Sequence, residues 1–201
     1  SRADYGIYTP LLSKLSKDDR FELYIIVFGM HLQVHHGKTI GAIEKDNFGT
    51  IHTVLGMPKE DTSIDITKGY GQIIIEFADY WHKNKFDYVL ALGDRFEMNA
   101  AVQAGVPYGV NFAHLHGGET TLGAIDNIYR HQITLASKIH FVSTKKFAKK
   151  VEKIIERGEK NIHNVGALSL DGIKKLNLPT WDEVRDKFNI PDKKFILVTF
   201  H

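Results

Sequence analysis

Apolar positions along the chain alternate between two rhythms. Short, nearly continuous apolar runs occur at Glu22–Phe28, Thr50–Leu55, Tyr88–Leu92, Tyr108–Ala113, Ile139–Ser143, Asn161–Val165 and Phe195–Phe200. Between them, apolar residues recur at helical spacing, most clearly over Ile66–Lys83, where Ile66, Tyr70, Ile73, Ile74, Phe77 and Trp81 share one face. Further helices are expected at Ile7–Ser16, Phe96–Ala104, Ala124–Ser137, Lys145–Arg157 and Asp182–Phe188, the last with Thr180 as its N-cap. Strands without polar alternation are covered on both faces, and strands that alternate with helices form a parallel sheet. The expected fold class is therefore α/β, a doubly wound parallel sheet. Ser1–Gly6 reads as a strand-to-helix loop with no strand before it, and Phe195–Phe200 as a strand with no helix after it. Both ends look trimmed.

Composition narrows the function without naming it. The 201 residues are 43% hydrophobic and 25% charged, enough for a core without staples, and the net charge of +2 gives no reason to expect nucleic acid or an anionic membrane as partner. There is no cysteine, so disulfides, thiolate metal sites and cysteine nucleophiles are out. No apolar run approaches the roughly 20 residues that span a bilayer, and charged Arg2 and Asp4 do not open a signal peptide. A cytoplasmic protein is the expectation.

In open parallel sheets, ligands bind beyond the carboxyl ends of the strands. Gly93-Asp94-Arg95 follows the Tyr88–Leu92 run, His114-Leu115-His116-Gly117-Gly118-Glu119 follows Tyr108–Ala113, and His201 follows Phe195–Phe200. Arg2 and Asp4 would follow the absent first strand. Several strand ends thus deliver acids, imidazoles and guanidiniums to one edge. Taken singly, each residue has an ordinary reading. Asp94 could cap the next helix or act as a general acid or base, and Arg95 could form a surface ion pair or fork onto a phosphate or sugar oxygen. Gly117-Gly118 would let backbone approach a ligand. Asp126 and Arg130, four residues apart, are explained by a helical ion pair. His114-x-His116-x-x-Glu119 could also hold a metal if both imidazoles face one way, but no further ligand motif supports it. His31, His35 and His36 are weaker candidates. His52, His82, His140 and His163 read as structural or surface residues, and Trp81 and Trp181 as core.

Taken in order, these segments resemble a known family. Arg2-Ala3-Asp4-Tyr5-Gly6, Gly93-Asp94-Arg95-Phe96-Glu97, the His114–Glu119 loop, Gly123-Ala124-Ile125-Asp126 with Arg130-His131, Asn164-Val165-Gly166-Ala167 and Val198-Thr199-Phe200-His201 are similar to the hydrolysing UDP-N-acetylglucosamine 2-epimerases of sialic acid and related nonulosonate synthesis. The resemblance implies the N-terminal, Rossmann-like half of a GT-B two-domain fold. Residues 1–188 would form that domain without its first strand, and 189–201 would begin the nucleotide-binding domain. It implies a UDP-sugar substrate, no cofactor and no metal. The C2 proton is removed and UDP lost from C1, and water then adds to the 2-acetamidoglucal to release a 2-epimerised free sugar. It assigns catalytic roles to Asp94, Glu119, Asp126 and His201, and substrate contacts to Arg2, Arg95 and His116, with Arg2 and His201 towards the diphosphate. Related enzymes carry an acid at the position of His116, so either this imidazole or Glu119 takes that role. The fragment alone is expected to bind UDP poorly. A GT-B glycosyltransferase, a non-catalytic UDP-sugar-binding module and a metal-dependent hydrolase are the competing readings. The sugar is left open, as is whether the protein forms a homo-oligomer.

Overall fold

The computed structural model describes residues 2–33, 39–56, 58, 60–156, 158, 160–171, 173 and 177–198, with Arg2 and Ala3 described for backbone alone. The chain divides into two compact units, Ser1–Asp171 and Gly172–His201. In the first, seven-residue to twenty-one-residue helices alternate with short strands: α1 (Arg2–Leu15), β1 (Tyr24–Val27), α2 (Ile40–Asp46), β2 (Thr50–Thr53), α3 (Ser63–Lys83), β3 (Val89–Leu92), α4 (Phe96–Gly105), β4 (Phe112–Leu115), α5 (Asp126–Ala136), β5 (Ile139–Val142), α6 (Lys145–Ile155) and β6 (Ile162–Asn164). All pairings are parallel. The strands form a β1–β2 pair and a β3–β4–β5–β6 sheet, so the α/β class read from the apolar rhythm holds.

The two sheet pieces are separated by an apolar cavity of about 980 Å³, lined by Tyr24 and Ile26 of β1, Leu90 of β3 and Leu12 of α1. The edges that face it are unpaired among the described strands. On the far side of β1, Leu23 and Val27 carbonyls accept from Thr50 and Val54. On the far side of β3, Val89 and Gly93 donate to Asn111 and Leu115. Hydrogen-bonding groups alternate along a strand, so Tyr24, Ile26, Leu90 and Leu92 turn theirs towards the cavity. Tyr8 of α1 reaches in to donate its hydroxyl to the Leu90 carbonyl (3.3 Å).

The core lies between α3, α4 and the sheet. Helix α3 buries Gly69, Ile73, Phe77 and Trp81, a strict four-residue stripe. A Cβ at Gly69 would come within 2.5 Å of the Pro58 nitrogen, so only glycine lets that segment cross the helix. Phe77, Trp81, Phe86 and Phe112 meet edge-on or tilted, and Trp81 Nε1–H donates to the Ala101 carbonyl (3.0 Å). Helix α4 is small-sided (Ala100, Ala101, Ala104, Gly105), which lets it pack tightly between α3 and α5; a Cβ on Gly105 would strike the Phe112 ring at 2.5 Å.

Three boundaries differ from the sequence expectation. Helix α1 begins at Arg2, so Arg2 and Asp4 occupy a helical first turn, where an acid is favoured by the dipole, and not a loop. Strand β4 starts at Phe112 because Val106–Tyr108 coils into a 3-10 turn closed by left-handed Gly109 (φ 66°). His114 consequently lies inside the strand, fully buried, and not beyond its end. The strand expected at Phe195–Phe200 is absent over 195–198, where Ile196, Leu197 and Val198 are exposed and no neighbouring strand among the described residues supplies ladder partners. Residues 199–201 lie outside the described ones.

In the second unit, α7 (Trp181–Phe188) begins as expected at Thr180. Its hydroxyl accepts from the Glu183 amide while the Glu183 carboxylate accepts from the Thr180 amide, a complete capping box. Trp181 is half exposed and stacks on Phe195 (centroids 5.6 Å apart), so it is not a core residue. Trp81 is.

Two stability predictions follow from this packing. Phe77→Ala empties a site that is 1% exposed and should cost about 3–5 kcal/mol, read as a lowered urea midpoint at unchanged slope. Burial pushes the His114 imidazole down to about 3, from an ordinary value of 6.5. The folded state thus binds fewer protons than the unfolded one between those values. Stability is full above pH 6.5 and falls as pH drops below it, by about 2 kcal/mol at pH 5 from this group alone. Urea titrations at pH 8, 6.5 and 5 read it, and a flat profile that matches a His114→Gln variant would refute it.

Candidate functional site

Parallel βα units bring every strand's carboxyl end and the following helix's N-terminus to one rim. At that rim Gly93 turns the chain out of β3 in the left-handed region (φ 80°) and delivers Asp94 and Arg95. The turn is bolted from beneath by His114, whose Nε2–H donates to the Gly93 carbonyl (2.8 Å) while Nδ1 meets the Thr134 hydroxyl (3.0 Å). With both nitrogens engaged and the ring buried, His114 is not available to a metal, and it does not share partners with His116.

His116 ends β4 with an unusual positive φ of 64° for a non-glycine residue. Its amide donates to Phe141 of β5 (2.9 Å), and its carbonyl accepts from Arg130 Nη1 (3.0 Å). Gly117 and Gly118 then reverse the chain. Their missing side chains serve this protein's own packing: a Cβ at Gly117 would meet His114 at 3.0 Å, and one at Gly118 would meet the Phe147 carbonyl of α6 at 2.7 Å. Glu119 follows and turns back inwards.

Arg130 of α5 is the hub. Its side chain is 7% exposed, yet it does not form the helical pair with Asp126 that its spacing suggests. Its Nη2 pairs instead with Asp94 and its Nη1 with Glu119 (3.5 Å) and the His116 carbonyl. Sequence spacing alone could not reveal that, because both carboxylates come from other strand ends. The Arg130 Nε is buried with no partner among the described residues. Asp94 is likewise no helix cap: Arg95 occupies the N-cap position of α4, and the Asp94 carboxylate goes to Arg130.

Glu119 Oε1 accepts from His116 Nδ1 (2.8 Å) and from the Ser143 hydroxyl at the end of β5 (2.6 Å). Burial would raise the Glu119 carboxyl, but the hydrogen bonds from His116 and Ser143 and the Arg130 charge outweigh it and hold it below the usual glutamate range. The Leu168 amide donates to His116 Nε2 (3.3 Å), so this imidazole carries its proton on Nδ1. Ser143 and the Leu168 amide had no sequence signal beyond standing after a strand.

Arg95 lies beside this cluster, both its Nε and Nη2 3.3 Å from the Glu97 carboxylate. Burial would lower its pKa, and the charges of Glu97, Asp126 and Asp4 more than reverse that. Asp126, at the first turn of α5, and Asp4, in α1, are therefore electrostatic neighbours of Arg95. Of the residues expected at the site, Asp94, His116 and Glu119 join through Arg130, and Arg95 and Asp126 stand next to them. The Arg2 side chain and His201 lie outside the described residues, as do His35 and His36. His31 is bonded through Nδ1 to Thr39 (2.8 Å), and His52 holds Tyr80 (2.7 Å). A cluster of ionised acids, paired guanidiniums and one imidazole at helix N-termini is suited to moving protons on a polar ligand.

Comparison with known proteins gives the family and the fold. Residues 13–201 match the family model for UDP-N-acetylglucosamine 2-epimerase. The whole chain is 35% identical to polysialic acid biosynthesis protein P7 of Escherichia coli, over 51% of that protein's length. It is 36% identical to the UDP-N,N'-diacetylbacillosamine 2-epimerase (hydrolyzing) of Legionella pneumophila, over 53% of its length. In structure, 95% of the chain superposes on 49% of the UDP-N-acetylglucosamine 2-epimerase from Rickettsia bellii, with a TM-score of 0.71 at 16% identity. The chain spans about half the length of the curated relatives it matches, and its parallel sheet is that of the Rossmann-like half of a GT-B protein. The chain belongs to the UDP-N-acetylglucosamine 2-epimerase family.

Proposed function

We propose that this chain is the sugar-handling half of a hydrolysing UDP-sugar 2-epimerase, whose substrate is UDP-N-acetylglucosamine or a related UDP-amino sugar. The observation that carries the reading is the Arg130 hub, which joins Asp94 after β3 to His116 and Glu119 after β4 in one connected group. Two curated relatives support the chemistry by name, one a hydrolyzing 2-epimerase and the other a polysialic acid biosynthesis protein.

The reaction removes the C2 proton and expels UDP from C1, leaving a 2-acetamidoglucal. Water then adds across that double bond, with the new proton arriving at C2 on the opposite face. Two proton-handling groups must therefore flank C2. Asp94 and Asp126 serve the proton transfers with the His116–Glu119 pair, and Arg95 contacts the sugar or phosphate oxygens. Arg2 and His201 face the diphosphate, whose remaining contacts come from a second, nucleotide-binding domain opening at 189–201. The chemistry requires neither metal nor nicotinamide. The first domain takes in residues 1–188, and one further strand standing in the slot between β1 and β3 would complete its sheet. The protein acts in the cytoplasm on a soluble nucleotide sugar, and the 201-residue chain alone turns over little or none.

Incubating the two-domain protein with each UDP-amino sugar in deuterium oxide tests this. Free UDP together with a free 2-epimer bearing deuterium at C2 is expected. A product still joined to UDP would sink the hydrolysing reading, and an unchanged substrate would favour a binding module. Asp94→Asn should lower kcat by about 10²–10⁴-fold while the far-UV circular dichroism stays unchanged. Full activity in that variant would reduce Asp94 to a structural partner of Arg130.

A further inference from the structure

The cluster contains two groups that could take the C2 proton, and their hydrogen bonds separate them. We propose that His116 is the base of the elimination step, its Nε2 receiving the C2 proton, and that Glu119 is a positioning residue that acts through His116. This rests on the epimerase reading above and deepens it.

Three observations lead here. First, Glu119 is committed. Oε1 already accepts from His116 Nδ1 (2.8 Å) and Ser143 (2.6 Å), and Oε2 lies 3.5 Å from Arg130 Nη1. A carboxylate whose charge is spread over three donors is held firmly in place and has little remaining pull on a carbon acid. Second, the His116 tautomer is fixed by those same contacts. Nδ1 bears the proton and gives it to Glu119, so Nε2 keeps its lone pair. This is the arrangement by which an acid orients an imidazole base and stabilises the imidazolium it becomes. Third, Nε2 is lightly held. Its partner among the described residues is the Leu168 amide at 3.3 Å, in the segment that follows the carboxyl end of β6. Glycine at 166, with φ of 86°, gives that segment a backbone free to turn. The positive φ of His116 (64°), held by Phe141 and Arg130, is the kind of local strain kept where a side chain must be aimed.

The step balances without a co-reactant. The C2–H electron pair becomes the C1=C2 double bond, and the C1–O pair leaves with the diphosphate. The proton rests on Nε2, and the imidazolium formed is stabilised by Glu119 through Nδ1–H before it releases that proton to water.

The test is a double-substitution cycle in the two-domain protein with UDP-N-acetylglucosamine, unlabelled and deuterated at C2. His116→Gln is expected to lower kcat by about 10²–10⁴-fold, the range for loss of a general base, and to raise the deuterium isotope effect. Glu119→Gln should lower kcat less. Because the pair works as a unit, the double variant should be no more than about threefold slower than His116→Gln. His116→Glu should recover part of the rate, since another base then occupies the position. Multiplying losses, or a His116→Gln variant within tenfold of wild type, would overturn the assignment, as would Glu119→Gln being the more severe of the two. His116→Asn replaces His116→Gln if the latter does not fold. A second readout needs no turnover: ¹⁵N spectra of the 201-residue chain should show the His116 proton on Nδ1, moving towards Nε2 in Glu119→Gln. A wild type inert towards every UDP-sugar refutes the parent reading, whereas an Nε2-protonated His116 refutes the pair.

Discussion

The site depends on one buried guanidinium. Arg130 rises from α5 beneath the rim with its side chain almost wholly enclosed, and a charge in that position is tolerable only when paired and hydrogen-bonded. It is satisfied by Asp94 after β3, Glu119 after β4 and the carbonyl of His116 between them. One side chain thereby fixes the relative positions of two loops that share no sequence proximity. Removing either carboxylate would leave a buried cation half compensated, a change of about 3–5 kcal/mol in comparable buried pairs. The geometry of the cluster and its local stability are here the same set of contacts.

Beneath Arg130 lies a second layer that positions the turns themselves. His114, neutral and enclosed, joins the Gly93 carbonyl to Thr134 of α5, so the exit of β3 is tied to the helix that carries Arg130. The Thr134 hydroxyl also lies 2.9 Å from the Arg130 carbonyl one turn earlier. Gly117 has room for a hydrogen and no more above this imidazole. A change at Gly117 would thus reach Asp94 through His114 and Gly93, although no atom of Gly117 need touch a substrate.

Much of the framework is readable in the sequence. The four-residue stripe of Ile73, Phe77 and Trp81 specifies α3, and Thr180 with Glu183 specifies the start of α7. Errors arose where local pattern competed with context. Val110 and Tyr108 look like strand residues, but Pro107 and Gly109 draw the chain into a turn, which shifts β4 and carries His114 into the core. Phe195–Val198 has strand composition without a strand to pair with among the described residues. The strand ends place Asp94, His116 and Glu119 on one rim, but their pairing is not legible in the spacing. Asp126 and Arg130 are four apart and still choose different partners, because Asp94 and Glu119 offer Arg130 a buried, two-sided arrangement and Arg95 lies near Asp126.

The balance of charge at the rim bears on which part of a nucleotide sugar it suits. Among the described side chains, Asp4, Asp94, Glu97, Glu119 and Asp126 gather there against two guanidiniums, Arg95 and Arg130, and both are already engaged by carboxylates. A diphosphate brought here would meet more negative charge than positive, even with the N-termini of α1, α4 and α5 turned towards it. A neutral sugar ring would meet no such penalty, since its hydroxyls and amide can donate to the acids. A neutral ring suits these carboxylates, and phosphates need cations beyond the described side chains of this cluster.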